Sequence, residues 1–526
     1  MSDKTIHIFD STLRDGSQAL GISFSVNDKL KIAAKLDEIG VSYIEAGNPG
    51  SNRKDLEFFA AARKELKLKH AKLCAFGSTR RPGIRADEDV NLKALVSSGT
   101  MVTAIFGKTW DFHVTDIIKT SLEENLSMIS DSIRYLKSLG KEVIFDAEHF
   151  FDGYKHNQKY ALEVLQAAQE AGADWLVLCD TNGGTLPLEM YSIVGGLVSR
   201  YRFSNLGIHC HNDSGTGVAN SLLAVQAGAR QVQGTFNGLG ERCGNANLST
   251  IIADLTLKLG YSCIPAEKLK HITAACRYIS EVSNVVPYER DPYVGHCAFA
   301  HKGGMHIDAV NKNSTSFEHV PPEAVGNERR ILLSEVSGRS TLMAIIRSIA
   351  PHITRDSAET QRILDKLKDK EYHGYQFEGA EHSLELLARK ELGLFKHSFE
   401  LLDYKVIIEK GNGSGKSPSL AFIKIRVDDM VEEVGVSDEI GPVNALDKAL
   451  RRALHKFYES ISQMHLSDYK VRVIDSDSAT QAKVRVMIES TDGVSSWSTV
   501  GVSTNIIDAS LQALIDSVEY KLLNKQ

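Results

Sequence analysis

Two histidines one residue apart, His209 and His211, close a short apolar run that begins at Leu206. On a β-strand, side chains two apart leave the same face, so both imidazoles can turn toward one ion. Such a pair reads equally well as ordinary structure until a third donor appears. Asp15, in Leu13-Arg14-Asp15-Gly16 just beyond another apolar run, supplies one. A carboxylate with two imidazoles and open positions suits a catalytic divalent cation, Mg2+, Mn2+ or Zn2+, that must also accept water and substrate oxygens. Asn245, in the glycine-rich stretch from Gly234 to Asn247, can add an amide oxygen.

Arg14 reads either as an ion-pair partner of Asp15 or as a guanidinium that holds a developing alkoxide. Glu45 and Glu148 follow short apolar runs and are acid-base candidates, Glu45 reading equally as a buried, hydrogen-bonded carboxylate. The glycine-rich stretch lacks the lysine and hydroxyl of a phosphate loop, but it sets backbone amides before a helix, where an anion would be stabilised.

These residues must be held by something periodic. From Ile6 to about Gly260 a short apolar run followed by an amphipathic stretch recurs eight times. The strand candidates are Ile6 to Phe9, Tyr43 to Ala46, Ala71 to Phe76, Met101 to Phe106, Glu142 to Asp146, Trp175 to Cys179, Leu206 to His211 and Gln231 to Phe236. Helix patterns between them end at Gly40, Gly140 and Gly172. Eight βα units in about 250 residues predict a closed (β/α)8 TIM barrel, with the candidate residues at the C-terminal ends of its strands.

The rhythm then breaks. Helical patterns at Pro265 to Asn284 and Leu342 to Leu394 predict a helical accessory region. Lys410 to Ser417 reads as a hairpin loop. The helical stretches Val443 to Ile461 and Asn505 to Leu523 each follow strand-like runs, a weak internal repeat of the form (βββα)2. The predicted class is therefore α/β, a barrel over residues 1-275, helical subdomains over 276-396 and an α+β domain over 397-526.

The 526 residues carry a formal net charge of -6, with 42% hydrophobic and 24% charged residues, and so lack the basic field of a nucleic-acid binder. No apolar run is long enough to span a membrane. Seven cysteines without a CxxC pair predict reduced thiols and a cytoplasmic location. Arg80, Arg81 and Arg85 read as a solvated loop, with binding of an anionic substrate as the alternative.

The sequence resembles the acetyl-CoA-dependent carboxylate synthases, a family that includes 2-isopropylmalate, homocitrate and citramalate synthases. The resemblance rests on FDSTLRDGSQ (Phe9 to Gln18), AEHFFDGY (Ala147 to Tyr154), LCDTNGG (Leu178 to Gly184), HCHNDSGTGVANSL (His209 to Leu222), GERCGNANL (Gly240 to Leu248) and AHKGGMHIDA (Ala300 to Ala309). It implies Asp15, His209, His211 and Asn245 as metal ligands, Arg14 and Glu45 around the substrate, and Thr181 at its carboxylate. It further implies Glu148 and His306 as the groups that activate the acetyl methyl.

CAFGSTRRPG (Cys74 to Gly83) and FGKTWDFHV (Phe106 to Val114) look most like the citramalate-forming branch. That branch joins pyruvate to acetyl-CoA on a route to isoleucine. 2-Oxoisovalerate and 2-oxoglutarate stay open as alternative substrates, and an aldolase or lyase of the same barrel group, or an amino-acid-binding regulatory protein, as alternative functions. The resemblance also implies a homodimer in which His306 serves the neighbouring barrel, and a C-terminal domain that binds a feedback amino acid, with isoleucine the first expectation.

Overall fold

The computed structural model describes residues 4–203, 205–301, 304–331, 339–354, 357–377, 379–408, 418–438, 441–474, 481–493 and 495–523. They form two compact units, one of residues 1–299 with 319–329, the other of residues 300–318 with 330–526.

The first unit is the barrel. Its eight strands are β1 (His7–Asp10), β2 (Tyr43–Glu45), β3 (Lys72–Ser78), β4 (Val102–Lys108), β5 (Glu142–Glu148), β6 (Trp175–Asp180), β7 (Leu206–Cys210) and β8 (Gln231–Gly234). All pair in parallel in sequence order, and β1 closes on β8 with Phe9 opposite Gln233 and Asp10 opposite Gly234. Short strands suffice because each needs only enough length to span the height of the barrel, and alternate residues fill the inside. Phe9, Tyr43, Cys74, Val102, Ala104, Ile144, Val177 and Cys179 form that inner cluster. A larger core lies between strands and helices, where Phe58, Phe145, Phe150 and Ile251 are fully buried.

The helices begin and end where local chemistry dictates. Ser25 caps Val26–Ile39 through a reciprocal capping box with Asp28, and Gly40 ends that helix in the left-handed region at φ 93°. Gly140 follows Leu122–Ser138 at φ 74° for the same reason. Pro265 to Asn284, expected as one helix, is a 3-10 turn (Ala266–His271) running into an α-helix (Ile272–Val282).

In the second unit, helices Arg339–Ile349, Ala358–Tyr372 and Glu381–Glu391 share a core built on Leu342, Ile346, Ile363, Leu384 and Ala388. Beyond them stand two three-stranded antiparallel sheets. Glu400–Ile408, Ser419–Val427 and Met430–Asp438 form one, His465–Val473, Val484–Thr491 and Ser496–Ser503 the other. Each is followed by a helix, Pro442–His455 or Ile506–Leu523. The repeat extends to a detail, since the first strand of each sheet shifts register at matching places, Leu401/Asp403 and Leu466/Asp468. Lys410 to Ser417 lies outside the described residues, but the strands flanking it pair as a hairpin. Among the described residues no helix is long and apolar enough to cross a membrane.

Candidate metal centre and active site

The loop after β1 is tied down before it delivers its functional side chains. Asp10, fully buried, accepts hydrogen bonds from the Thr12 amide at 3.0 Å and the Thr12 hydroxyl at 2.7 Å. Thr12 Oγ1 in turn accepts from the Phe236 amide at 3.0 Å, which joins this loop to the one after β8. Burial pushes the Asp10 carboxyl up to about 7.

This turn sets Asp15 against the end of β7. Asp15, His209 and His211 are all buried, and one ligand atom from each lies within 4.8 Å of the others. The Asp15 Oδ2 oxygen is 3.6 Å from His209 Nε2 and 3.9 Å from His211 Nε2. Burial works to raise the Asp15 carboxyl, but the charges of Arg14, His209 and His211 and a hydrogen bond from Asn245 outweigh it and hold it at about 2. Burial, with His209 beside it, brings His211 down to about 4. At neutral pH Asp15 is thus anionic and His211 neutral, and a carboxylate beside two imidazoles is a donor set that suits a divalent cation.

Asn245 completes the fit. The loop after β8 is stitched to the end of β7 by hydrogen bonds from the Ala246 amide to Cys210 O and from the Asn212 amide to Gly244 O, each 2.9 Å. Asn245 therefore reaches Asp15, donating Nδ2 to Asp15 Oδ1 and to Leu239 O, both at 3.0 Å. Its Oδ1 is buried with no hydrogen-bond partner. An orphaned buried acceptor costs about 1–3 kcal/mol, a cost that a cation at this point would remove.

The C-terminal end of this glycine-rich loop uses its amides internally. Its amides at Gly244, Asn245, Ala246 and Leu248 all donate to protein carbonyls. These four shape the end of the loop.

Around the donors opens a cavity of about 290 Å³, lined by Arg14, Asp15, Glu148, Thr181, His209 and His211 among others. Arg14 donates Nε to Glu45 at 2.7 Å and Nη1 to Asp15 at 2.9 Å, with its guanidinium 3.9 Å above the Phe76 ring. Glu45 and Asp15 outweigh the effect of burial and raise the Arg14 pKa, so it stays charged. Glu45 is fully buried behind Arg14, off the cavity wall, and also accepts from the Ser11 hydroxyl.

Glu148 ends β5, paired with Lys108 at the end of β4. The next residue, His149, turns into the left-handed region and donates its amide to Thr181 Oγ1 at 2.9 Å, which fixes the hydroxyl beside Glu148. His306 belongs to the second unit, exposed on the helix Gly304–Lys312 and stacked on Phe317 at 4.0 Å between ring centroids.

Several lining residues carry no sequence motif that marks them. Phe76 and Phe106 stack at 5.4 Å and wall one side; Asp146 and Arg242 line others. Arg242 is held by Asp213 at 2.8 Å and donates to Thr181 O at 2.7 Å. Asp146 sits two residues before Glu148 on β5, and that inward spacing was the available signal. Arg80 is not solvated: it is buried and paired with Glu124 at 2.7 Å and Asp131 at 2.9 Å, while Arg85 is exposed beside Asp87.

The chain matches three family models in succession: HMGL-like over residues 5–282, homocitrate synthase post-HMGL domain-like over 293–374, and the LeuA allosteric (dimerisation) domain over 378–522. It is 52% identical to the (R)-citramalate synthase of Aquifex aeolicus, covering 100% of this chain and 99% of that protein. With the (R)-citramalate synthase of Geobacter sulfurreducens it shares 51% identity, over 98% of this chain and 97% of the other. A 2-isopropylmalate synthase of Methanocaldococcus jannaschii is more distant, 31% identical over 99% of this chain and 95% of its own length. A barrel with this donor set, followed by these two modules in this order, places the chain in the citramalate synthase family of HMGL-like enzymes.

Proposed function

We propose that this chain condenses acetyl-CoA with pyruvate to give citramalate and CoA. The observation that carries the chemistry is that Asp15, His209, His211, Arg14 and Glu148 all open on one cavity of about 290 Å³. Asp15, His209 and His211, with Asn245 as the fourth, are the residues that would hold a divalent cation. When bound, the cation would act as a Lewis acid toward the substrate ketone.

The protein's own groups do the rest. Thr181 and Arg242 receive the pyruvate carboxylate, and Arg14 directs its guanidinium at the ketone oxygen. Glu148, together with His306, takes a proton from the acetyl methyl, and the carbanion equivalent adds to the ketone carbon. Arg14, kept cationic by Glu45, stabilises the alkoxide that results. Water then cleaves the thioester and releases CoA. Phe76 and Phe106 give the ketone an apolar neighbour on one side of the cavity.

The three-part division into residues 1-275, 276-396 and 397-526 is our functional assignment of catalysis, linkage and regulation. We assign the LeuA-type module to feedback by isoleucine and to a homodimer in which His306 acts on the partner's barrel, in a cytoplasmic enzyme. Thiol release from acetyl-CoA, followed with pyruvate, 2-oxoisovalerate and 2-oxoglutarate in turn, tests the substrate. Pyruvate should give the highest kcat/KM. Product from 2-oxoisovalerate alone would leave the condensation standing and remove pyruvate.

A further inference from the structure

Behind the cation site the barrel interior holds a polar chain that the chemistry above does not use. Gln233, on β8, is fully buried. Its Oε1 lies 2.9 Å from His209 Nδ1, and its Nε2 donates to Asp146 Oδ1 at 3.1 Å and to Gln231 Oε1 at 3.3 Å.

A primary amide has one acceptor end and one donor end. Two oxygens, from Asp146 on β5 and Gln231 on β8, stand at one end of Gln233, so its nitrogen must face them and its oxygen must face His209. His209 Nδ1 then carries the hydrogen, and Nε2 offers its lone pair 3.6 Å from Asp15 Oδ2. Turning the amide over would set its oxygen against those two oxygens and give up both donations from Nε2. His211 has no such support, because its Nδ1 is buried without a hydrogen-bond partner. The two imidazoles are therefore not equivalent arms of the site.

We propose that Gln233, itself oriented by Asp146 and Gln231, is a positioning residue that locks His209 in its Nδ1–H tautomer and aims Nε2 at the cation. The assignment rests on the metal reading given under the proposed function. Groups that orient a metal-binding histidine in this way are typically worth about 10–100-fold in metal affinity.

The test is Mn2+ titration by calorimetry on the full-length chain freed of metal, with Co2+ absorption as a second readout. Gln233→Leu removes all three hydrogen bonds at similar volume. Gln233→Asn stays polar but falls short of His209, and it serves if the leucine variant does not fold. Each should weaken Mn2+ binding about 10–100-fold and alter the Co2+ d–d bands, while kcat at saturating Mn2+ recovers to within a few-fold of wild type. Wild-type Mn2+ affinity in a folded Gln233 variant, alongside loss of binding in Asp15→Ala, would overturn the positioning role. Unchanged binding in Asp15→Ala would overturn the metal site itself, and the proposal with it.

Discussion

Arg14 is anchored to Glu45 by a 2.7 Å hydrogen bond from Nε, and Glu45 has no exposure of its own, so a rim cation is held from inside the barrel wall. The pair fixes the height of the guanidinium above the cavity floor, with Phe76 packed against its face. Removing Glu45 frees that guanidinium and leaves it partly buried and short of a partner.

Glu45→Ala should therefore lower kcat by about 100-fold, the scale of a 1 Å misplacement, and destabilise the fold by about 3–5 kcal/mol, the cost of breaking a buried pair. Steady-state kinetics and denaturant titration check both. A variant with normal kcat would show that Arg14 needs no anchor.

Asp15→Ala should abolish turnover, lowering kcat by at least about 1000-fold, with little loss of folding. The residue lies on a rim loop and fills no part of the apolar core, and Arg14 keeps Glu45 as a partner. Circular dichroism and thiol release measured on the same sample decide it. Full activity would refute the metal assignment.

Chelation separates catalysis from regulation. Prolonged treatment with a chelator should remove activity, and added Mg2+, Mn2+ or Zn2+ should restore it to different extents that identify the working ion. Isoleucine binding, followed by calorimetry, should persist in the chelated protein because the LeuA-type module holds no part of the donor set. Loss of both together would contradict that separation.

Asp10 gives a pH-dependent contribution to stability. Its pKa is 3.8 as an ordinary carboxyl and about 7 in the fold, so between these values the folded state keeps a proton that the unfolded chain has lost. The proton's contribution is fully present below the lower value and is lost as pH rises through about 7. Asp10→Asn, a permanent mimic of the protonated form, should escape this loss. Its unfolding free energy relative to wild type should rise between pH 5 and pH 8, as read by urea titration at both. A constant difference would mean that Asp10 does not titrate in this range.

Much of the site was legible because it depends on local spacing. His209 and His211 had to share a face once β7 was a strand, and Asp15 had to follow β1. Glu148 and Asp146 obey the same period on β5, so the spacing that points to Glu148 points to Asp146 as well. Gln231 and Gln233 are not legible from the sequence, because an amide inside a barrel strand looks like neutral filling until its partners are known. Arg80 looked solvated because the helix carrying Glu124 and Asp131 is remote in sequence.

The sequence by itself determined the eight βα units, the repeat of the two small sheets and which side chains leave each strand inward, since periods of 2 and 3.6 residues are set by backbone geometry. Only the tertiary structure decided that β1 closes on β8, that Asn245 arrives beside Asp15, and that Glu45 stands behind Arg14 while Glu148 faces the cavity. Those relations join residues 31 to 230 positions apart. Chain closure and packing set such distances, and no local pattern encodes them.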